Sequence, residues 1–393
     1  MKRFFSLILC ITACLSLFSC RKIESDLEVN ITEGNTQTTE PPTDSVSDTV
    51  AEPDTSVTLY MVGDVLLHDK VRDSGVCEDG TYNYDHFFAN VSDDIERADI
   101  ALVNQEVILG GLELGLSGYP AFNGAYEVGD ALVKAGFDVV LHATNHALDK
   151  GSQGVLNCLG FWKDNHPEIT VIGINASQEE QDTVHILEIK DMKIAVLNYT
   201  YGTNGIPLPN GMSYAVNLLD EDKIIKDLRY AEDNADFTVV CPHWGTEYVL
   251  EPDDNQKYWA NLFTSNGADL VIGTHPHVVE PLEEVNGVPV YWSLGNFINS
   301  TAQSGSGIAN RMVGVAADVT LDINEEGKVY VEKTGIIPLV SHVADGREMT
   351  VYRLSDYTEE LAGKNQIVSQ DSSFSLEYCK NLINKVFGNT ASH

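Results

Sequence analysis

The chain has 393 residues, enough for one large domain or two modest ones with a sizeable core. It carries 59 acidic residues against 24 basic ones, a formal net charge of −35. A surface of that sign repels phosphates and argues against nucleic acid as a partner; the excess reads as a solvated exterior.

The first residues differ in kind from the rest. Lys2 and Arg3 precede a mainly apolar run, Phe4 to Leu17, that is too short to span a bilayer. It reads as an export signal, residues 1–19, ending at Leu17-Phe18-Ser19 before Cys20, a pattern like a bacterial lipobox. Cleavage there leaves the Cys20 thiol and amine for acyl chains, and two or more chains anchor a protein firmly. The alternative is an ordinary secretory signal with an incidental cysteine. Residues 20–56 read as a tether, because Glu33 to Ser56 is rich in Thr, Ser, Asp, Glu and Pro and has no aromatic residue. The expected location is therefore the extracellular face of a bacterial cell membrane, held by lipid.

The folded part is expected from Val57, with a main domain over 57–356 and a helical extension over 357–393. A strand at Val57–Val62 ends at Gly63-Asp64, and a helix is expected over Asp85–Ala98. A strand at Ile100–Val103 runs into Asn104-Gln105-Glu106. The helix at Glu127–Ala135 is stopped by Gly136. Phe137–Leu141 leads to His142-Ala143-Thr144-Asn145-His146, and a helix (Gln153–Asn165) and strand (Ile169–Ile174) follow. His185–Tyr199 looks like a hairpin turning near Lys190-Asp191. A helix at Asp220–Asn234 precedes a strand, Phe237–Cys241, that ends at Pro242-His243. A helix at Asp253–Ser265 precedes a strand, Asp269–Ile272, that ends at Gly273-Thr274-His275. Val288–Leu294 is a strand ending at Gly295-Asn296-Phe297. Beyond Val313 the strands Val313–Asp322, Lys328–Thr334 and Met349–Leu354 lack intervening helices, which predicts an antiparallel addition closed by a helix at Ser375–Phe387. The alternation before it predicts an α/β layered domain.

Each polar cluster thus follows an apolar strand, and parallel strands gather their C-terminal ends at one edge. Asp, Glu, Asn and His are ligand types for divalent metals. Asp64 and Glu106 supply carboxylates, the latter able to bridge two cations, and Asn145 supplies a neutral oxygen. His243 is a further ligand candidate. His275 and His277, two apart in an extended backbone, would face one site. Gly273 would let the chain turn sharply before them. His146 is placed to face a substrate as a proton donor, with Asp149 to orient it. The same residue types also serve as turn residues, caps and exposed loop acids. Trp244 reads as a pocket wall or as a packed aromatic. Cys77, Cys158, Cys241 and Cys379 allow three pairings, and the apolar settings of Cys158 and Cys241 suit buried free thiols.

Six segments between residues 57 and 300, in order, resemble the CapA family of capsule and poly-γ-glutamate synthesis proteins, itself similar to calcineurin-like metallophosphoesterases. They are Met61–Leu66, Val103–Glu106, Ala143–Asp149, Pro242–Tyr248, Gly267–Val278 and Tyr291–Phe297. The resemblance implies a four-layer α/β/β/α sandwich. It carries metal-ligand roles onto Asp64, Glu106, Asn145, His243, His275 and His277, and an acid role onto His146. One or two divalent ions, Mn, Fe or Zn, are then expected. The chain departs from the metallophosphoesterase pattern in two places. Val65-Leu66 follows Asp64 where Asp-x-His is usual, leaving His68 as a possible additional ligand, and Glu106 stands where Asp is usual. Two roles fit: an accessory of capsule or poly-γ-glutamate synthesis or export working with a polymer synthase or export complex, or a metal-dependent hydrolase of phosphoester or amide-type bonds in an envelope polymer.

Overall fold

The computed structural model describes residues 55–344 and 348–388. The expected signal segment 1–19, Cys20 and all of the tether but its last two residues lie outside the described residues. Strand β1 (Val57–Val65) is followed by helices α1 (Asp69–Ser74) and α2 (Ser92–Arg97). Then β2 (Ile100–Asn104), α3 (Tyr126–Ala135), β3 (Val139–Leu141), α4 (Gly151–Asn165) and β4 (Thr170–Ile172) alternate. Helix α5 (Gln178–Asp182) leads into the hairpin β5 (His185–Ile189) and β6 (Met192–Thr200). A second alternation runs α6 (Glu221–Asn234), β7 (Phe237–His243), α7 (Asp254–Thr264), β8 (Leu270–Ile272). After β9 (Val279–Val285), β10 (Val288–Leu294) and β11 (Asn296–Ile298) come β12 (Val313–Ile323), β13 (Val329–Val343), β14 (Met349–Arg353), α8 (Glu359–Lys364) and α9 (Leu376–Phe387).

These strands form two mixed sheets. The first has the order β14-β13-β12-β1-β2-β3-β4, with β11 beside β1; the second has the order β5-β6-β7-β8-β10-β9. In the first, β1 to β4 are parallel, and β12 to β14 join antiparallel to β1. In the second, β6, β7, β8 and β10 are parallel. Alternate residues of the second sheet divide between two apolar cores. Ile194, Val196, Val239, Cys241, Leu270, Ile272 and Tyr291 join the large core shared with the first sheet. Ala195, Leu197, Val240, Val271, Val290 and Trp292 pack outward against Ile224 and Leu228 of α6 and Ala260 and Phe263 of α7. That period-two split is what a sheet covered on both faces requires. The sulfurs of Met61 and Cys241, 3.7 Å apart, mark where the two sheets meet. Helices α3 and α4 make the crossovers of the first sheet, so the layers are helix, sheet, sheet, helix.

Several expectations are corrected. The helix over Asp85–Ala98 is broken into a 3-10 turn at Asp85–Phe87 and the short α2. Phe87 and Phe88 are both buried, and Phe88 stacks on Phe297 at 5.5 Å; consecutive helical side chains diverge by about 100°, so one helix face would not hold both. Strand β9 was not foreseen, and it pairs with β10 around Asn286-Gly287, both at positive φ, the turn that Asn-Gly favours in hairpins. Strand β13 runs nine residues past the expected end at Thr334, through Pro338. The Pro338 carbonyl accepts from Leu354, just beyond the last β13–β14 pair, so the missing N–H falls where pairing has stopped. All four described cysteines are free thiols.

Candidate metal centre

The parallel strand ends of both sheets meet at one edge. Asp64 stands at the end of β1, beside a register shift. Gly63 before it has no alternative, since a Cβ there would lie 1.9 Å from the Gly295 carbonyl oxygen. Asn104 ends β2, and Glu106 follows after Gln105 donates its N–H to the Leu141 carbonyl at 3.0 Å. Beyond β3, Thr144 donates its hydroxyl to the Glu106 carbonyl at 2.7 Å, which ties that loop to Asn145 and His146. His243 ends β7, and His275 and His277 follow β8.

The two histidines after β8 do not reach the site through extended backbone. His275 and His277 have φ of 99° and 59°, in the left-handed region, and their rings converge to 5.7 Å. Non-glycine residues at such angles store strain and cluster at functional sites. Gly273 is needed for close approach, not for a turn: a Cβ would meet the Trp292 carbonyl at 2.3 Å and the Trp244 indole at 2.4 Å. Trp244 is a packed aromatic of the outer core, its indole N–H donating to that same carbonyl.

The predicted residues converge. Asp64 accepts from Asn104 at 2.8 Å through Oδ1 and pairs with His277 Nδ1 at 3.1 Å through Oδ2. His277 Nε2 lies 3.6 Å from Glu106 Oε1. Asn145 Oδ1 is 3.0 Å from His243 Nε2, and the His243 and His275 rings are 4.8 Å apart. Among the described residues, three trios have ligand atoms within 4.8 Å of one another: Asp64, Glu106 and His277; Glu106, His243 and His275; and Glu247, His275 and His277. Glu106 belongs to the first two. Glu247 is exposed and was not singled out from sequence; its signal was its place four residues after His243 in the Pro242–Tyr248 segment.

Electrostatics point the same way. Glu106 is wholly buried, and neither carboxylate oxygen has a hydrogen-bond partner; Asn104 Oδ1 and His275 Nδ1 are also unpartnered. Burial pushes the Glu106 carboxyl well above its usual range despite the nearby His277. Burial, with neighbouring imidazoles, holds His243 and His275 well below the usual histidine value, so both stay neutral with a lone pair to give. Burial would lower His277 too, but Glu106 and Asp64 raise it to about 9. Buried acceptors without donors, among neutral imidazoles, suit a divalent cation.

His146 sits beside the trios. Its Nδ1 is 2.7 Å from Asp149 Oδ2, which also accepts the Phe122 N–H, and its Nε2 is 3.9 Å from Glu106 Oε1. The ring meets Phe122 edge-on at 4.6 Å. His68 lies apart from the three trios, on the cavity wall against Phe122, and burial lowers it to about 4. A cavity of about 770 Å³ opens in front, lined among others by His68, His146, Glu247, Tyr248, His277 and Arg311.

Comparison with known proteins follows this geometry. The chain is 33% identical over 162 residues to the PGA biosynthesis protein CapA of Bacillus subtilis, covering 41% of this chain and 42% of that protein. It is 26% identical over 252 residues to the capsule biosynthesis protein CapA of Bacillus anthracis, covering 62% and 59%. It therefore spans roughly half the length of these relatives. The calcineurin-like phosphoesterase YfkN from Bacillus subtilis superposes with a TM-score of 0.43 at 12% identity, over 84% of this chain and 96% of that one. The family described as bacterial capsule synthesis protein PGA_cap matches residues 58–301, more than half of the chain, and the protein belongs to that family.

Proposed function

We propose that this protein is a divalent-metal member of the capsule-synthesis family, lipid-anchored at Cys20 to the extracellular face of a bacterial membrane, acting in the synthesis or export of an anionic envelope polymer such as poly-γ-glutamate. The observation that carries the metal centre is Glu106, a fully buried carboxylate with no hydrogen-bond partner, shared between two ligand trios. Asp64 and His277 on one side, and Asn145, His243 and His275 on the other, would hold the ions with it. A polymer synthase or export complex is the partner this reading implies. The anchor rests on the Lys2–Cys20 sequence pattern.

A second reading, a hydrolase of phosphoester or amide-type bonds, is favoured by the His146–Asp149 pair. Divalent ions, when bound, supply Lewis acidity toward a phosphoryl or carbonyl oxygen. Asp149 fixes the His146 ring through Nδ1, which leaves Nε2 toward the cavity to protonate a leaving group. Phe122 packs edge-on against that ring.

Elemental analysis of the full chain tests the centre. One or two equivalents of Mn, Fe or Zn are expected, and none after incubation with all three would sink it. For the hydrolase reading, the metal-loaded chain is assayed on a chromogenic phosphodiester beside His146→Ala. Turnover should fall about 10²- to 10⁴-fold with metal content unchanged. No turnover by the unmodified protein on phosphodiester or γ-glutamyl amide leaves the accessory role.

A further inference from the structure

Arg311 lies outside the matched family segment, on a 3-10 turn at Ile308–Met312. It lines the cavity in front of the candidate metal centre. Its guanidinium sits 3.5 Å above the Tyr248 ring centroid. Among the described residues the guanidinium makes no hydrogen bond and no acid lies within ion-pairing distance, although Glu247 on the same cavity wall acts on it electrostatically. A planar five-donor fork left open on a cavity wall is free to take two oxygens of one anionic group. The lysine on the cavity wall, Lys70, already bonds the Gln366 side chain.

Two ties place this guanidinium beside the ligands. The Asn296 amide donates to the Arg311 carbonyl at 2.9 Å and to the His277 carbonyl at 3.1 Å, while its oxygen is 3.1 Å from His277 Nδ1. One side chain thus fixes the Arg311 backbone to a candidate ligand. Tyr248, the platform under the guanidinium, has φ of 67° and donates its N–H to the Pro276 carbonyl at 2.8 Å, inside the His-Pro-His turn. Its ring is 5.9 Å from that of His277. An aromatic residue held in the left-handed region is strained. A cation–π contact at a part-exposed site is weak, so the stack alone does not account for the arrangement.

We propose that Arg311, stacked on Tyr248, is an anion-binding subsite of this cavity that takes the carboxylate or phosphate group of a substrate next to the metal centre. The inference rests on the metal-centre reading above and deepens it. The fork receives two oxygens of one group in a plane, and the Tyr248 face holds it in that plane. It also answers a physical objection to a polyanionic substrate on a chain of net charge −35: the favourable potential would be local, from the metal ions when bound and from the Arg311 guanidinium, against Glu247 on the same wall.

The test is isothermal titration of the Mn²⁺-loaded full chain with inorganic phosphate and, separately, glutarate, with metal content measured on each sample. Arg311→Ala should weaken the probe that binds by about ten- to hundredfold, with metal content and circular dichroism unchanged. Arg311→Lys should recover only part of the loss, since it restores charge without the fork. Lys70→Ala should change affinity less than about threefold. Binding of phosphate alone assigns a phosphoryl group, and binding of glutarate alone a carboxylate. Equal affinity in Arg311→Ala and unmodified protein, or no binding of either probe, overturns the proposal. Arg311-dependent binding by a chain that holds no metal would keep the subsite and sink the metal centre.

Discussion

Two buried glutamates, one with no hydrogen-bond partner and one with a partner on a single oxygen, show what distinguishes a candidate site from ordinary interior. Glu106, at the meeting of the strand ends, and Glu280, on β9, are 0% and 1% exposed. Burial raises both carboxyl pKa values, Glu280 to about 8. Their surroundings differ in kind. Glu280 accepts a hydrogen bond from the Gln256 amide at 2.6 Å, and Gln256 is itself pinned in the capping box that starts α7. Its charged neighbours, Asp253 and Glu251, are acids that favour the protonated form. Glu106 has no donor at all, and imidazoles of His277 and His146 stand 3.6 Å and 3.9 Å away. Burial and its acidic neighbours hold Glu280 as a neutral acid, against the Gln256 amide, which favours the charged form. Glu106 has no donor, and beside the raised His277 the nearby His243 and His275 are held neutral, so the site offers a carboxylate and imidazole lone pairs to a cation.

The comparison breaks first at Glu106. Glu106→Gln should lower metal affinity by more than about a hundredfold, because even the outer partners of ligands are worth ten- to hundredfold. The metal-free variant should unfold at the same or a higher temperature, since an unpartnered buried acid has been removed. Glu280→Gln should leave metal content unchanged. Elemental analysis with thermal melts decides it, and equal metal in Glu106→Gln and unmodified protein would make Glu106 no different from Glu280. A smaller effect is expected at His275, which belongs to one of the Glu106 trios: His275→Ala should remove about half of a two-ion content. His68→Ala should remove none, its ring lying against Phe122 outside the trios.

Much of this was legible from sequence, for a physical reason. Parallel strands converge their C-terminal ends, so Asp64, Glu106, Asn145, His243, His275 and His277 could be grouped without coordinates. What failed was local geometry that tertiary packing dictates. The His275–His277 segment was read as extended, and the fold holds both in left-handed backbone. Strand β9 was hidden because Val-Glu-Pro-Leu-Glu-Glu-Val reads as a polar loop, although the Asn286-Gly287 turn signal stood beside it. Pro338 disguised the second half of β13. Glu247 and Arg311 follow no apolar run, and only the folding of distant loops brings both to the cavity wall.

The smallest expected effect sharpens the comparison at Glu280 through pH. Its folded pKa, about 8, lies above the ordinary value of 4.5, so the folded state binds more protons between those values. Stability from this group is fully present below about 4.5, declines as pH rises, and is lost above about 8. Glu280→Gln keeps the shape and cannot ionise. The variant and the unmodified protein should therefore melt together near pH 4.5, and the variant should be the more stable by a few degrees above pH 8. Taking the difference between the two proteins cancels the other titrating groups, among them Asp269, which burial raises to about 6. A difference that stays flat from pH 4.5 to 9 would mean that Glu280 ionises freely where it sits. The amide of Gln256 would then replace water for the carboxylate, and the contrast with Glu106 would rest on the presence of a donor rather than on protonation.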